Sequence, residues 1–203
     1  MPQSGQIFIV SAASGTGKTT LVSRMIQHHP NIRVSTSHTT RLPREGEQNG
    51  IHYHFVSIRE FEELIGLGAF LEHANVFGNY YGTSLSEVES LIKQGFDVVL
   101  EIDIQGAQQV RKQLPNAVSI FILPPSFAVL AERLIGRGTE SKDIISRRLN
   151  KAHAEIEEAF LFDYVVINKE LDQAEQDLLA IIRTFHLRGE NQQKTITAVL
   201  ADN

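Results

Sequence analysis

The 203 residues include no cysteine and no tryptophan. Without cysteine there is no disulfide, no thiolate metal centre and no cysteine nucleophile. Basic residues are few as well: 19 Lys plus Arg against 24 Asp plus Glu leave a formal charge of −5. That balance argues against gripping a nucleic-acid polymer or a membrane surface through net charge, although local basic clusters remain allowed. No apolar run approaches the roughly 20 residues that span a bilayer. The N-terminus, Met1-Pro2-Gln3-Ser4-Gly5, has no basic region, and the apolar run behind it, Ile7 to Val10, is too short for a secretory leader. Together with the missing cysteine, this points to a cytoplasmic protein. What remains is an ordinary globular composition, 42% apolar and 21% charged, long enough for one domain with a real core.

Apolar runs rich in β-branched residues recur along the chain. Ile7 to Val10, Arg33 to Ser37, Asp97 to Asp103, Val118 to Leu123 and Tyr164 to Asn168 read as strands. Their near-continuous hydrophobicity suits a parallel sheet covered on both faces. Helical periodicity lies between them, at Lys18 to His28, Ala107 to Leu114, Phe127 to Leu134 and Asp172 to Arg188. Ser126 is placed to cap the third of these helices, and Asp172-x-x-Glu175 has the spacing of a capping box on the fourth. Alternation of this kind implies a doubly wound α/β sheet.

Two segments interrupt the alternation. From Ser37 to Gly95 the chain reads as a small α+β insertion. It has strands at His52 to Phe55 and Phe70 to Phe77, and helices at Ile58 to Leu67 and Leu85 to Gln94. Ser84-x-x-Glu87 would cap the second of these helices and Gly95 would end it. The other interruption is Gly136-Arg137-Gly138-Thr139-Glu140-Ser141, ahead of a long helix from about Lys142 to Leu161. The tail, Gly189 to Asn203, reads either as a helix or as an assembly contact between copies of the chain.

The chemistry concentrates first between the opening strand and helix. Ala12-Ala13-Ser14-Gly15-Thr16-Gly17-Lys18-Thr19 is a loop whose glycines let backbone N–H groups turn inward around phosphate oxygens. The helix behind it points its positive end at the same charge. Lys18 would reach the β- and γ-phosphates, and the Thr19 hydroxyl would sit on Mg²⁺. The strict G-x-x-x-x-G-K-[ST] pattern fails at its first position, Ala12, which would be strained only at positive φ. After the second strand, Arg41 and Arg44 lie three apart in a polar loop and can fork onto one phosphate. Glu101 and Asp103 end the third long strand two residues apart, on one face at the carboxyl edge where open α/β sheets bind ligands. Asp103 is placed to hold Mg²⁺ through water.

In order along the chain, these motifs resemble the guanylate kinases. The resemblance rests on the phosphate loop, Ser37-x-Thr39-Thr40-Arg41-x-x-Arg44, Phe77-Gly78-Asn79-Tyr80-Tyr81-Gly82, Glu101-Ile102-Asp103-Ile104-Gln105-Gly106 and Gly136-Arg137-Gly138. It spans about residues 5 to 187. It implies an α/β P-loop kinase with a five-stranded parallel sheet core (5–36, 93–135 and 149–188), a GMP-binding insertion (37–92) and a short lid (136–148). The activity it implies is ATP + GMP giving ADP + GDP with Mg²⁺, a step of purine nucleotide metabolism, with GMP and dGMP as the small-molecule acceptors. Arg41, Arg44, Tyr53 and Tyr81 would hold the GMP phosphate. Glu72 would accept from the guanine N1–H and exocyclic amine, with Ser37 and Thr83 donating to O6. Glu101 matches a position near the acceptor nucleotide that is often Asp. Arg137 and Arg148 match the lid arginines that contact phosphate, and Arg133 lies in the same cluster. Asn168 matches a position near the adenine, although Lys169 follows where the family often has Asp.

Two other readings compete. An inactive guanylate-kinase-like module that binds phosphopeptides would show a degraded phosphate loop. A P-loop kinase for a sugar phosphate would not need Arg41, Arg44, Tyr53, Tyr81 and Glu72 together. His52 and His54 lie two apart but have no third ligand spaced with them, and read as surface or packing residues rather than a metal site.

Overall fold

The structure is a computed structural model that describes residues 5–76, 78–135 and 142–201, without the side chains of 142–148. The phosphate-loop end of the chain is built from β1 (Ile7–Ala12), α1 (Lys18–His28) and β2 (Ile32–Val34). Then come β3 (His38–Thr39), β4 (His54–Phe55), α2 (Ile58–Gly66), β5 (Phe70–Val76), β6 (Asn79–Ser84) and α3 (Leu85–Lys93). The rest is β7 (Asp97–Glu101), α4 (Ile104–Gln113), β8 (Val118–Leu123), α5 (Phe127–Ile135), α6 (Lys142–Glu157), β9 (Tyr164–Ile167), α7 (Leu171–His186) and α8 (Gln193–Ala201). No helix among the described residues is long and apolar enough to cross a membrane.

The main sheet has the order β2-β7-β1-β8-β9, with every pair parallel. Alternation along β1 sends Phe8 and Val10 to one face, where they pack with Leu21, Val22, Met25 and Leu178. Ile9 goes to the other face, with Val98, Leu100 and Val110. Both faces are therefore dry, which is why these strands read as continuous apolar runs. β1 lies at the centre of the sheet, so the loop leaving its carboxyl end opens where such sheets bind ligands.

A second sheet has the order β4-β3-β6-β5. Phe61 of α2 is fully buried between Phe70 at 4.5 Å and Tyr80 at 5.2 Å, both stacked on it, and forms the centre of this unit's core. Its edge strand β5 is not left open. Gln109 Nε2 donates to His73 O at 2.8 Å, Gln109 Oε1 accepts from His73 N at 3.2 Å, and Gln113 Nε2 donates to Leu71 O at 3.1 Å. The side of α4 thus takes the place of a fifth strand and ties the small sheet to the large one.

Several elements depart from the expected bounds for identifiable reasons. The helix expected from Ala107 starts at Ile104, because Asp103 caps it by accepting from Gly106 N at 3.0 Å. The strand expected over Arg33 to Ser37 ends at Val34. The small sheet contains β3 and β6, which were not expected as strands. The capping box expected at Asp172 and Glu175 does not form. Asp172 pairs with Arg24, and the buried Glu175 reaches Arg24 Nε at 2.6 Å and His28 Nδ1 at 2.7 Å. A tertiary clasp between α1 and α7 takes both carboxylates from the local cap. Ser84 does cap α3, but the Glu87 carboxylate accepts from Thr36 N at 2.9 Å rather than closing the box. The long helix expected to Leu161 is α6 followed by a 3₁₀ turn, Glu158–Leu161. The tail forms α8.

Candidate active site

The loop between β1 and α1 is shaped by what backs it. Ala12 is the last residue of β1, paired with Ile122, so its backbone is extended and alanine meets no penalty there. Left-handed backbone occurs instead at Gly15, φ 88°, and Gly17, φ 92°. A Cβ at Gly15 would come within 2.8 Å of Leu134, and one at Gly17 within 2.8 Å of Asn168 Nδ2. Thr16 Oγ1 donates to Ala13 O at 2.6 Å. The Thr16 carbonyl is held from behind by Asn168 Nδ2 at 2.8 Å and Arg133 Nη1 at 3.0 Å. Ser14 N donates to Glu155 Oε2 at 3.1 Å.

Lys18 opens α1, and its ammonium donates to Ile102 O at 2.7 Å. Burial pushes this ammonium below its ordinary range, opposed by the charges of Glu101, Asp103, Glu155 and Glu72. The Thr19 hydroxyl hydrogen-bonds Glu101. Thr19, Glu101 and Asp103 offer oxygen donors only, which is the chemistry Mg²⁺ takes.

Glu72 faces this group from the small sheet. It is only 3% exposed, and Thr83 Oγ1 donates to its Oε1 at 2.6 Å. Its carboxyl lies against α4 where residue 106 is glycine; a Cβ there would stand 2.4 Å from Glu72 Oε2. Desolvation raises this carboxyl to about 7, helped by the nearby Asp103 charge and opposed by the Thr83 bond and by Lys18. Glu72, Tyr81, Tyr53, Lys18, Thr19 and Asp103 line one cavity of about 280 Å³. An adjoining cavity of about 490 Å³ shares Thr19, Ser37, Tyr53 and Glu101 and adds Arg41 and Arg44.

Arg41 is clamped by Glu47, with Nη1–Oε2 at 2.9 Å and Nη2–Oε1 at 3.0 Å. This bidentate bond pushes the Glu47 carboxyl below, and the Arg41 guanidinium above, their ordinary ranges. The guanidinium lies 5.3 Å from the Tyr53 ring centre and 5.7 Å from that of Phe55. Glu47 also accepts from Arg44 N at 2.6 Å, so one carboxylate holds the Arg41 guanidinium and the Arg44 main chain. Tyr53 and Tyr81 meet edge to face at 6.0 Å.

Thus Ser14, Lys18, Thr19, Ser37, Arg41, Arg44, Tyr53, Glu72, Tyr81, Glu101 and Asp103 gather around two adjoining cavities. Thr83 lies beneath Glu72 with its hydroxyl committed to it. Asn168 sits behind the loop, its amide on Thr16 O. Of the two strand-end carboxylates, Glu101 touches Thr19 while Asp103 caps α4. Arg137 lies outside the described residues; position 148 belongs to α6, but the Arg148 side chain is likewise outside them. His54 stacks on His38 at 4.6 Å, and His52 Nδ1 accepts from Gln48 N at 3.0 Å. Sequence reasoning missed the parts played by Glu47, Glu155, Gln109 and Gln113. Glu47 had a usable signal, an acid inside the arginine-rich loop. The others had none.

Fold and site together define a P-loop α/β protein with a second, arginine-lined cavity adjoining the phosphate loop. A family model described as guanylate kinase matches residues 4–185, and the chain belongs to that family. It is 61% identical to a guanylate kinase of Neisseria gonorrhoeae over 98% of this chain and 97% of that one. It is 52% identical to one of Mannheimia succiniciproducens, over 97% and 98%. The crystal structure of guanylate kinase from Anaplasma phagocytophilum superposes with a TM-score of 0.78 at 32% identity, covering 93% of this chain and 89% of that one.

Two consequences can be measured. Between the ordinary carboxylate range and about 7, Glu72 holds a proton only in the folded chain, so stability falls as pH rises through that window. Glu72→Gln removes the effect. The variant should unfold like the wild type at pH 4 and be more stable at pH 8, by on the order of 3 kcal/mol, as read by denaturant titration. A gap that does not change with pH would contradict the assignment. Gly106→Ala should push Glu72 off its seat and lower activity at least about 10-fold; unchanged steady-state kinetics would show that the contact has no role.

Proposed function

We propose that the chain transfers the γ-phosphoryl group of ATP to GMP, giving ADP and GDP, with dGMP as a second acceptor. The carrying observation is Glu72, a buried carboxylate lining the same cavity as the phosphate-loop lysine. A carboxylate there can accept from both the N1–H and the 2-amino group of guanine. Adenine has an acceptor at N1 and no 2-amino group, so it leaves the carboxylate unpaired in a dry site. Burial raises Glu72 to about 7, and hydrogen bonds from the two guanine donors would favour its ionised form.

In this reading the phosphate loop, Ala12 to Thr19, takes the ATP phosphates, with Lys18 on the transferred group. Arg41 and Arg44 take the GMP phosphate, with the phenols of Tyr53 and Tyr81. Burial and the Glu101 charge push the Tyr53 phenol up, so it stays a donor at neutral pH. Ser37 faces the acceptor base, with Thr83 holding Glu72. Thr19, Glu101 and Asp103 would hold Mg²⁺, which supplies charge neutralisation on the phosphates when bound. Residues 37–92 form the acceptor-binding unit, and 136–148, with Arg137 and Arg148, the lid over the donor; Asn168 supports the donor side. No side-chain nucleophile is needed. The residues bring two anions together, screen their repulsion and exclude water. Such a substrate pair fits a cytoplasmic enzyme. A sugar-phosphate acceptor has no use for the buried Glu72, and a phosphopeptide module has none for Lys18 and Thr19.

An ADP-release assay over GMP, dGMP, AMP, CMP and ribose phosphates should show turnover with the two guanine nucleotides and little with the rest. Lys18→Ala and Arg41→Ala should each cost about 100-fold or more in turnover while circular dichroism stays native. Glu72→Gln should raise KM for GMP about 10-fold or more and leave KM for ATP near its wild-type value. Near-normal turnover in Lys18→Ala would sink the proposal.

A further inference from the structure

Ser14 lies at the first bend of the phosphate loop, where its main-chain donor needs an acceptor. The acceptor lies outside the loop, on α6: Glu155 Oε2 at 3.1 Å. The other carboxylate oxygen is 3.5 Å from Lys151 Nζ, one turn earlier. The Glu155 side chain is only 18% exposed, and its charge acts on Lys18 as well. An apolar contact surrounds the bond. Ala13 of the loop packs against the fully buried Ala152 of α6, with Leu130 and Leu134 of α5 and with Leu149 and Ile156. Helix α6 is therefore seated on the loop by a dry patch and by one hydrogen bond to a charged acceptor, a strong kind. Position 148 lies two turns earlier in the same helix.

We propose that Glu155 is a positioning residue for the phosphoryl donor. By holding Ser14 N–H it fixes the bend of the phosphate loop relative to α6. The loop that takes the triphosphate and α6 then keep one geometry. Glu155 touches no reacting atom and acts through the Ser14 peptide. The inference rests on the reading of the phosphate loop as the ATP site.

Wild type, Glu155→Met and Glu155→Gln separate the possibilities. Methionine keeps the side chain's length and volume but offers no oxygen, while glutamine keeps an oxygen acceptor without the charge. The wild type is assayed first with ATP and GMP; no turnover there would overturn the functional reading and not this one. Given turnover, Glu155→Met should lose about 10- to 100-fold in kcat/KM for ATP, with KM for GMP unchanged. Glu155→Gln should recover most of that loss. Amide exchange at Ser14, followed by NMR without nucleotide, should quicken in the Met variant and stay slow in the Gln variant. The proposal is overturned if Glu155→Met keeps wild-type kcat/KM for ATP and only melts earlier. It is equally overturned if the losses for ATP and GMP are the same, or if Gln is no better than Met.

Discussion

A carboxylate buried where the two sheets meet sets the terms for the rest of the molecule. Glu72 projects from β5 toward α4, and α4 makes room by having no side chain at Gly106. Removing a carboxylate from water is costly unless it is neutral or paired. The fold meets that demand with a Thr83 hydroxyl and with partial neutralisation, raising the group to about 7. Keeping it there requires the small sheet to stay docked. Gln109 and Gln113 do this by pairing with the outer edge of β5. The distance from the phosphate loop to Glu72 then follows from α4 and β7, which are rigid elements, and not from loop conformation.

Charge is managed by the same logic of short, local pairing. The chain is acidic overall, yet its cavities present Lys18, Arg41 and Arg44. Net charge speaks to long polymers and extended surfaces; it says little about a pocket the size of a mononucleotide. Two of the three cations are held by an acceptor: Lys18 by the Ile102 carbonyl, Arg41 by the Glu47 carboxylate. Such holding orients a flexible side chain in advance, which lowers the ordering cost when a phosphate replaces or joins the acceptor.

Much of this was legible in the residues. The five core strands stand out because a parallel sheet buried on both faces needs uninterrupted apolar runs, as Ile7 to Val10 and Val118 to Leu123 supply. The phosphate loop reads directly because glycine and lysine are needed there for stereochemical and electrostatic reasons. What escaped depended on contacts distant in sequence. The two residues of β3 carry no periodicity, so their pairing with Tyr81 and Gly82 cannot be seen locally. Asp172 and Glu175 have a perfect local capping pattern and serve Arg24 and His28 instead. Glu155 looks like any glutamate in a charged helix; only the fold brings it to Ser14 N. Ala12 was a puzzle in the motif and is settled by its place at the end of a strand.

The central claim is that Glu72 waits near neutrality and becomes a full carboxylate on meeting guanine. A carbon-13 NMR titration of the glutamate side-chain carboxyls, with the Glu72 signal assigned by its loss in Glu72→Gln, measures this directly. The account predicts that this carboxyl titrates near pH 7 in the protein alone and is ionised throughout the neutral range with GMP bound. A Glu72 signal that titrates in the ordinary carboxylate range without nucleotide, or that does not respond to GMP, would contradict it.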